Sequence, residues 1–222
     1  MSALAAPLVL AVFWLGYILP GDQVVTQLAE ARAARPPIRI EAQVAARDSA
    51  APRKVTIELH PELGGRASDD SGGRWVWNIG RTISGTRLPP PPWLPDLEPL
   101  VIRREGDLRS WLSTSGVDAG ANELARCGEG DCWVLGTRTS AGQVWIEKPG
   151  LELRRVVRPA SPRTAFDQWQ EFGKIRFPAK IEISDDQGVV ATLTVQSVNA
   201  IALSAADLQP SWAQGVPAAR AR

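Results

Sequence analysis

The residues that could carry out chemistry are few, and most of them lie in turn sequences. The chain contains one His and two Cys, so it lacks the residues for His-based acid–base catalysis and for a His-rich metal site. His60 directly precedes Pro61 in a stretch of turn formers, which predicts a surface or loop position. Paired carboxylates occur at Asp69-Asp70 and Asp185-Asp186, but both pairs stand in sequences typical of hairpin turns. We therefore predict no catalytic residues, no metal site and no cofactor.

The two cysteines flank a short turn sequence. Cys127 and Cys132 enclose Gly128-Glu129-Gly130-Asp131 between two apolar stretches, so we expect them to face each other across a hairpin. In an oxidising compartment the expected product is a disulfide. Closing so small a loop adds only about 2 kcal/mol, so its main role would be to fix strand register. Free thiols are the alternative, and the absence of C-x-x-C spacing disfavours a redox or metal role.

The composition is typical of a globular protein. A chain of 222 residues fits one all-β domain or two small α/β domains. Hydrophobic residues make up 44% and charged residues 22%, which disfavours both disorder and a multi-spanning membrane protein. With 25 basic and 24 acidic residues the net charge is +1, too small for a typical nucleic-acid-binding protein. No nucleic-acid partner is expected.

An uncharged apolar run stands near the amino terminus. Residues 3–19 read ALAAPLVLAVFWLGYIL, slightly shorter than the ~20 residues of a spanning helix and long for the core of a signal peptide. We predict that residues 1–20 are a signal peptide or an N-terminal membrane anchor. No small-x-small cleavage pair precedes Gly21, so a tether to the inner membrane stays open, and a buried core helix is a further alternative. The remainder is accordingly expected outside the cytoplasm.

Hydrophobic spacing predicts one helix followed by a long series of strands. After Asp22, a candidate N-cap, apolar residues recur at helical spacing until Pro36. From Ile38 the period changes to two, as in strands with one wet face. Short turn sequences separate about eleven such strands, so we expect an antiparallel meander that curls. The predicted strands are 38–44, 54–59, 74–83, 100–104, 123–127, 132–137, 143–148, 151–157, 165–172, 174–184 and 189–200.

A proline-rich stretch and a short helix interrupt the predicted meander. Residues 88–95 (LPPPPWLP) cannot form a ladder strand and predict a stiff polyproline connector. Asp107 is the predicted N-cap of a helix that ends before Gly116. One interpretation is an ordinary connector with a packing helix, and the other is a lid over the concave side of the sheet. The candidate lid residues are Trp93, Leu108, Trp111 and Leu112.

The predicted strands also place large apolar side chains around an interior. A curled sheet of about eleven strands encloses more space than its own side chains fill, so either helices or a ligand must occupy it. A lipid would suit such a site, because each methylene moved out of water contributes ~0.8 kcal/mol. Complete filling by the protein's own helices is the alternative. The candidate lining residues are Ile40, Ile57, Trp75, Trp77, Trp133 and Trp145.

Strand motifs in the second half of the chain are similar to those of a known family. Residues 165–183 (AFDQWQEFGKIRFPAKIEI) contain a strand that ends near an aromatic residue and Gly, followed by an F-P-x-x-I-x-I strand. Residues 193–199 (LTVQSVN) follow as a closing strand, and residues 143–148 with 151–154 precede them as an L-W-h-D-x-like strand and its return strand. This series resembles the LolA/LolB superfamily of lipoprotein carriers. The resemblance covers residues 22–208 and is carried mainly by those from 134 onward.

The resemblance implies a mainly β fold with a few helices. It implies a single incomplete antiparallel β-barrel wrapped round helices at residues 21–208. It also implies a monomeric periplasmic protein of the cell envelope for lipid binding or lipoprotein transport. The stretch at 209–222 is expected, from its own residues, to be a weakly ordered C-terminal tail in which Trp212 is a candidate for docking. Expected partners are lipid or lipoprotein acyl chains and an inner-membrane exporter or outer-membrane acceptor. The alternatives are a periplasmic sensor or assembly partner that binds an envelope protein, and an enzyme, for which converging titratable groups are lacking.

Overall fold

The computed structural model describes residues 19–79, 84–87, 89–148 and 150–214. The predicted export segment lies almost entirely outside the described residues, as does the end of the predicted C-terminal tail. Within the described residues, no helix has both the length and the apolar character needed to cross a bilayer.

In the described part of the chain, twelve strands form one antiparallel sheet. In space they run in the order β5-β4-β3-β2-β1-β12-β11-β10-β9-β8-β7-β6, so β5 and β6 end the sheet without pairing to each other. The prediction of a mainly β, incomplete barrel is therefore confirmed. The strands are β1 (Ile38–Ala46), β2 (Arg53–His60), β3 (Gly64–Asp69), β4 (Arg74–Trp77), β5 (Ser84–Gly85), β6 (Asn122–Cys127), β7 (Gly130–Leu135), β8 (Gln143–Glu147), β9 (Leu153–Val157), β10 (Arg163–Phe172), β11 (Ile175–Asp185) and β12 (Gly188–Ala200).

The predicted first helix is present, but its cap differs. Helix α1 (Gly21–Glu30) has Pro20 as its N-cap, and Asp22 lies in the first turn, where its negative charge is favourable to the helix dipole. The prediction of Asp22 as the cap is wrong. Gly21 permits close packing of this helix start, because a Cβ added there would lie 1.9 Å from the carbonyl oxygen of Ala119.

The predicted strand at 100–104 is absent. A 3₁₀ helix (Pro95–Leu100) follows the proline-rich stretch, and the backbone N–H of Val101 donates to Glu98 O over 3.0 Å. Leu100, Val101 and Ile102 are all buried. A short apolar run such as this one has no periodicity that separates a strand from tight helical turns, which is why the prediction is wrong.

Helix α2 (Glu105–Thr114) contains the predicted short helix and begins earlier than expected. Its N-cap is Arg104, and Asp107 lies inside the first turn, so the predicted cap is wrong here as well. Near the carboxyl end, a second 3₁₀ helix (Ala205–Leu208) and helix α3 (Pro210–Ala213) follow the last strand.

Strand β3 has no counterpart among the predicted strands. The sequence around it reads as turn formers, yet β3 pairs with β2 over its whole length and with β4 from Gly65 to Ser68. Gly65 makes room for a large neighbour, because a Cβ there would lie 2.6 Å from the ring of Trp77. In this strand glycine therefore marks a close approach and not a turn.

The hydrophobic core lies between the concave face of the sheet and the helices. The apolar faces of α1, α2 and the first 3₁₀ helix are part of the same buried cluster as the inward side chains of the strands. Helices thus occupy most of the space that the curled sheet encloses. The helical contributors are Val24, Val25, Leu28, Leu97, Leu100, Leu108, Trp111 and Leu112.

Candidate functional site

Five of the six predicted lining residues lie on the concave face. Ile40 lies opposite Ile57, and the same cross-strand row continues through β3 to Trp75. Trp77 and Trp133 belong to the same buried cluster. The register therefore brings these five side chains to one face. Of the five, Trp75 lines the cavity described below, whereas the other four are packed in the core.

Trp145, the sixth, lies on the opposite face of the sheet. The register of β7 and β8 places Trp133 opposite Ile146 and Trp145 opposite Val134. Because side chains alternate along a strand, the first pair points inward and the second outward. Trp145 packs in a separate outer cluster that includes Cys132 and Val134, so the structure does not bring it together with the other five.

The four predicted lid residues are all buried in the core. Leu108, Trp111 and Leu112 form the inner face of α2. The indole Nε1 of Trp111 donates to Pro95 O over 3.1 Å, which ties α2 to the first 3₁₀ helix. These three side chains fill the interior, whereas Trp93 borders the open space described next.

An apolar cavity of about 310 Å³ remains at one end of the concave side. Its walls come from the end of β1, the start of β2, one side chain of β4 and the start of β12, and residues 91–93, the proline segment, contribute to its lining. Trp75 and Trp93 both line this space, and each is only 4% exposed. The apolar lining side chains outside the prolines are Val44, Ala46, Val55, Trp75, Trp93, Val190 and Ala191.

Two glycines and one hydrogen bond fix the ring of Trp75. A Cβ added at Gly73 or at Gly85 would lie 2.5 Å from this ring, so neither position accepts a side chain without a shift. The indole Nε1 of Trp75 donates to Arg87 O over 2.9 Å. The position of one cavity wall is therefore set by the strands β4 and β5 and the turn before them.

A hydrogen bond from the arginine of a buried ion pair holds the proline segment. Arg158 donates from Nη2 to Pro92 O over 2.8 Å, and its Nε lies 2.7 Å from Asp96 Oδ1. The hydroxyl of Thr164 donates to Asp96 Oδ2 over 2.6 Å. Burial raises the pKa of Asp96 to about 6, against the opposing effects of Arg158 and Thr164. One arginine thus joins the segment beside the cavity to the first 3₁₀ helix.

Charged side chains surround the mouth of the cavity. Asp48 and Arg53 are exposed and Asp69 is half-buried. The carboxylate of Asp69 accepts hydrogen bonds from the backbone N–H groups of Ser71 and Gly73 at 3.0 and 2.7 Å. Over the described ranges, Arg53 has no carboxylate within 4 Å, and its Nη1 donates a 3.5 Å hydrogen bond to Ser71 Oγ.

The outer face carries the predicted disulfide. Cys127 and Cys132 are joined, with their Cα atoms 5.8 Å apart, across the hairpin of β6 and β7. The prediction is confirmed. Gly128 has a φ of 67° at the first position of the two-residue turn, as this kind of hairpin turn requires.

A polar groove of about 450 Å³ runs beside this hairpin. Trp145 lies in its wall with the guanidinium of Arg155 4.8 Å from the ring centroid, and the indole Nε1 donates to Gln143 Oε1 over 2.9 Å. Glu147 and Arg154 form an ion pair at its edge. The groove lies where β10, after pairing with β9 at Thr164 and Ala165, diverges from β9.

Trp212 of α3 docks against the outer face of the sheet, as the sequence suggested. The guanidinium carbons of Arg66 and Arg74 lie 4.9 and 5.6 Å from its ring centroid. The ring packs against a small cluster that includes Val76 and Leu208. The start of the predicted tail is therefore attached to the fold.

Asp185 and His60, two titratable residues of the sequence, each have a structural partner. Asp185 accepts from the backbone N–H of Gln187 over 2.8 Å, as a turn aspartate does. His60 ends strand β2 and is half-buried, which differs from the predicted loop position; its Nδ1 accepts from the backbone N–H of Glu62 over 3.1 Å. Burial lowers the pKa of His60. In the part of the chain that the structure describes, no three His, Cys, Asp or Glu side chains gather as metal ligands would.

Sequence reasoning did not single out most of the cavity wall. Val44 and Val55 share the face of Ile40 and Ile57, so their inward direction was predictable from the period of two. The sequence offered no signal for an opening at this end of the sheet or for Arg53 at its mouth.

No model of a protein family matches the chain, and no curated protein matches it. Solved structures do match. A LolA superfamily protein from Nitrosomonas europaea has a TM-score of 0.53 and 11% identity, covering 88% of this chain and 100% of its own. A domain assigned as an outer membrane lipoprotein-sorting protein from Vibrio parahaemolyticus and a DUF1329 family protein from Desulfovibrio piger each have a TM-score of 0.57 and 11% identity, covering 87% of this chain and 98% of their own. The resemblance found in the sequence is therefore confirmed for the fold, and the protein has the fold of the LolA superfamily.

Proposed function

We propose that this protein is an exported periplasmic binding protein or carrier that shields the acyl chain of a lipid or lipoprotein. The observation that supports this most is the apolar cavity bordered by the proline segment. Its Trp and Val walls offer an acyl chain contact with apolar groups, and its charged mouth offers the head group contact with water and polar side chains. Lipoprotein sorting is also the task named for the Vibrio structure that shares the fold.

The energy of such binding is adequate. The cavity volume of about 310 Å³ is enough for about ten methylene groups if each occupies ~30 Å³, the volume of a water molecule. At ~0.8 kcal/mol for each methylene removed from water, the apolar contribution is roughly 8 kcal/mol before ordering costs. An affinity in the micromolar range is therefore within reach even after several kcal/mol of such costs.

Two features support a location outside the cytoplasm. The uncharged run at residues 3–19 has the composition of an export signal or anchor. The Cys127–Cys132 disulfide fits an oxidising compartment. Binding without catalysis is part of the proposal, because Asp69 is engaged by the backbone of its own turn and Asp96 by Arg158.

The direct test is uptake of a fluorescent fatty acid by the purified protein, together with extraction of bound acyl chains from protein isolated from its own envelope. We expect saturable binding with a stoichiometry near one, with quenching of tryptophan fluorescence because Trp75 and Trp93 line the cavity. Absence of both probe binding and extractable lipid would contradict the proposal.

A second candidate function is favoured by the outer groove. A sensor or assembly partner would bind an envelope protein through the surface around Trp145, Arg155 and Asp167, where β10 diverges from β9. Replacement of the exposed Arg155 by Glu would then abolish co-purification of a membrane partner and leave fatty-acid binding unchanged. If the protein is instead a carrier, a substitution that fills the cavity should abolish fatty-acid binding alone.

A further inference from the structure

The cavity is small for the lipids of a membrane. A volume of about 310 Å³ holds about ten methylene groups at roughly ~30 Å³ each. A lipid with two chains of similar length needs about twice that volume, and one with three chains needs about three times. The cavity therefore has space for one chain.

The rest of the concave side offers no second place for a chain among the described residues. Leu28 of α1, Leu97 of the first 3₁₀ helix and Trp111 of α2 are each at most 1% exposed. These side chains occupy the space that further acyl chains would need, and displacing them would disrupt the hydrophobic core. Chain number is thus limited by the protein's own helices.

Among the described residues at the mouth of the cavity, Arg53 is a cation with no carboxylate within 4 Å. Arg47, next to the mouth, forms an ion pair with Asp185 at 2.8 Å. Asp69 is engaged by the backbone of its own turn. Arg53 remains, on the same face of β2 as Val55, because residues two apart in a strand share a face. An anionic group at the end of a chain held against Val55 would reach this guanidinium.

We infer that the ligand is a single-chain amphiphile with one anionic group, its chain between Trp75 and Trp93 and its head at Arg53. The shared chemistry is one acyl chain with a carboxylate, as in a fatty acid, or with a phosphate, as in a lysophospholipid. This inference rests on the proposed function and narrows its ligand.

The first experiment compares ligands of one chain length by displacement of a dansyl-labelled fatty acid from the full protein. The competitors are dodecanoate, dodecanoyl lysophosphatidylglycerol, dodecanol and didodecanoyl phosphatidylglycerol. We expect both single-chain anions to displace the probe, dodecanol to bind about tenfold more weakly through loss of a charge-assisted hydrogen bond, and the two-chain lipid not to compete. Dodecanoate and the lysophospholipid differ in head group, so their ranking identifies which source the site prefers.

The second experiment uses two matched pairs of variants. Ala46 lines the cavity and Ala45, beside it in β1, points to the other face; both are exposed. Ala46→Trp should therefore abolish binding through filling of the mouth, whereas Ala45→Trp should not change it. Arg53→Gln should lower the affinity for dodecanoate about tenfold and leave that for dodecanol unchanged, and Lys54→Gln, on the outer face, should change neither.

The outcomes separate the two proposals. Binding of no competitor and no probe overturns both the proposed function and this inference. Equal displacement by one-chain and two-chain lipids, or by dodecanoate and dodecanol, overturns the inference and leaves the proposed function standing. Equal loss of binding in Ala46→Trp and Ala45→Trp, with both variants folded by circular dichroism, overturns the assignment of the ligand to this cavity.

Discussion

At the scale of single residues, Asp96 couples the segment beside the cavity to pH. Its side chain is buried, and burial raises its pKa to about 6, from an ordinary value of 3.8. The ion pair with Arg158 does not fully offset the cost of burying the charge. Since Arg158 also donates to Pro92 O, the protonation state of Asp96 affects the contact between Arg158 and the proline segment.

The raised pKa of Asp96 predicts a pH dependence of stability with a definite sign. Between pH 3.8 and about 6 the folded carboxyl binds a proton that the unfolded one has lost, so the free energy of unfolding falls as pH rises through this window. The difference is at most roughly 3 kcal/mol. Urea unfolding of the wild type and Asp96→Asn at a series of pH values measures it, because the variant lacks this slope while all other groups remain. Identical pH profiles for the two proteins would contradict the prediction.

Two glycines give opposite predictions for the same substitution. Gly21→Ala places a Cβ 1.9 Å from the backbone oxygen of Ala119, and we expect a loss of about 1–3 kcal/mol as the start of α1 shifts. Gly106, in the first turn of α2, has no atom within 4 Å of an added Cβ. Gly106→Ala should raise stability by up to about 1 kcal/mol through helix propensity. Thermal unfolding of both variants tests the contrast, and equal shifts would show that the packing at Ala119 is not limiting.

At the scale of elements, both a tight turn and a disulfide hold the β6–β7 hairpin. A two-residue turn with Gly128 at positive φ sets the register, and the Cys127–Cys132 bond closes it. The outer cluster around Cys132 and Trp145 depends on this register, because a slip of one residue would turn Trp133 outward.

Removal of the disulfide should have a modest effect. We expect the double variant Cys127→Ala with Cys132→Ala to lose about 2 kcal/mol of unfolding free energy, the value for so short a loop. The turn and the ladder of β6 with β7 remain to hold the register. Guanidinium unfolding of the variant, beside wild type with and without reductant, measures the loss. Collapse of the fold on reduction would mean that the turn alone does not set the register.

At the scale of the whole molecule, the sheet and the helices share one core. The buried cluster runs without interruption from β4 through β12 to β7 and includes α1, α2 and the first 3₁₀ helix. The pairing of β1 with β12 joins the early and late strands, with Ile38 opposite Ala200. Residues from both halves of the chain are therefore needed to complete this core.

A shared core predicts one cooperative unfolding transition. Tryptophan fluorescence and far-ultraviolet circular dichroism should give coincident curves in urea, since the tryptophans lie in both the early and the late strands. A binding ligand should shift both curves together by mass action. Two separated transitions would instead indicate that the early strands unfold independently of the late ones.

The sequence by itself determined the kind of fold. Period-two alternation from Ile38 onward and short turn sequences predicted an antiparallel, curled sheet with a helix before it, and the spacing of Cys127 and Cys132 predicted their bond. The incomplete barrel was implied by the resemblance that the strand motifs at 165–183 carry. These signals are local, because each depends on the chemistry of residues within about ten positions of one another. A local pattern fails where it fits two structures. Glycine in β3 fits either a turn or a close approach of a neighbour, and the apolar run at 100–104 fits either a strand or tight helical turns.

Only the tertiary structure decided the site. Both Trp133 and Trp145 were predicted to line the interior, but the register of β7 with β8 places Trp133 inward and Trp145 outward. Likewise, the sequence left open whether helices or a ligand would fill the interior. The answer depends on where α1, α2 and the proline segment cross the sheet, and so on contacts between residues far apart in the chain, such as Arg158 with Pro92. Packing of distant side chains sets the volume of a cavity, and no local pattern encodes it.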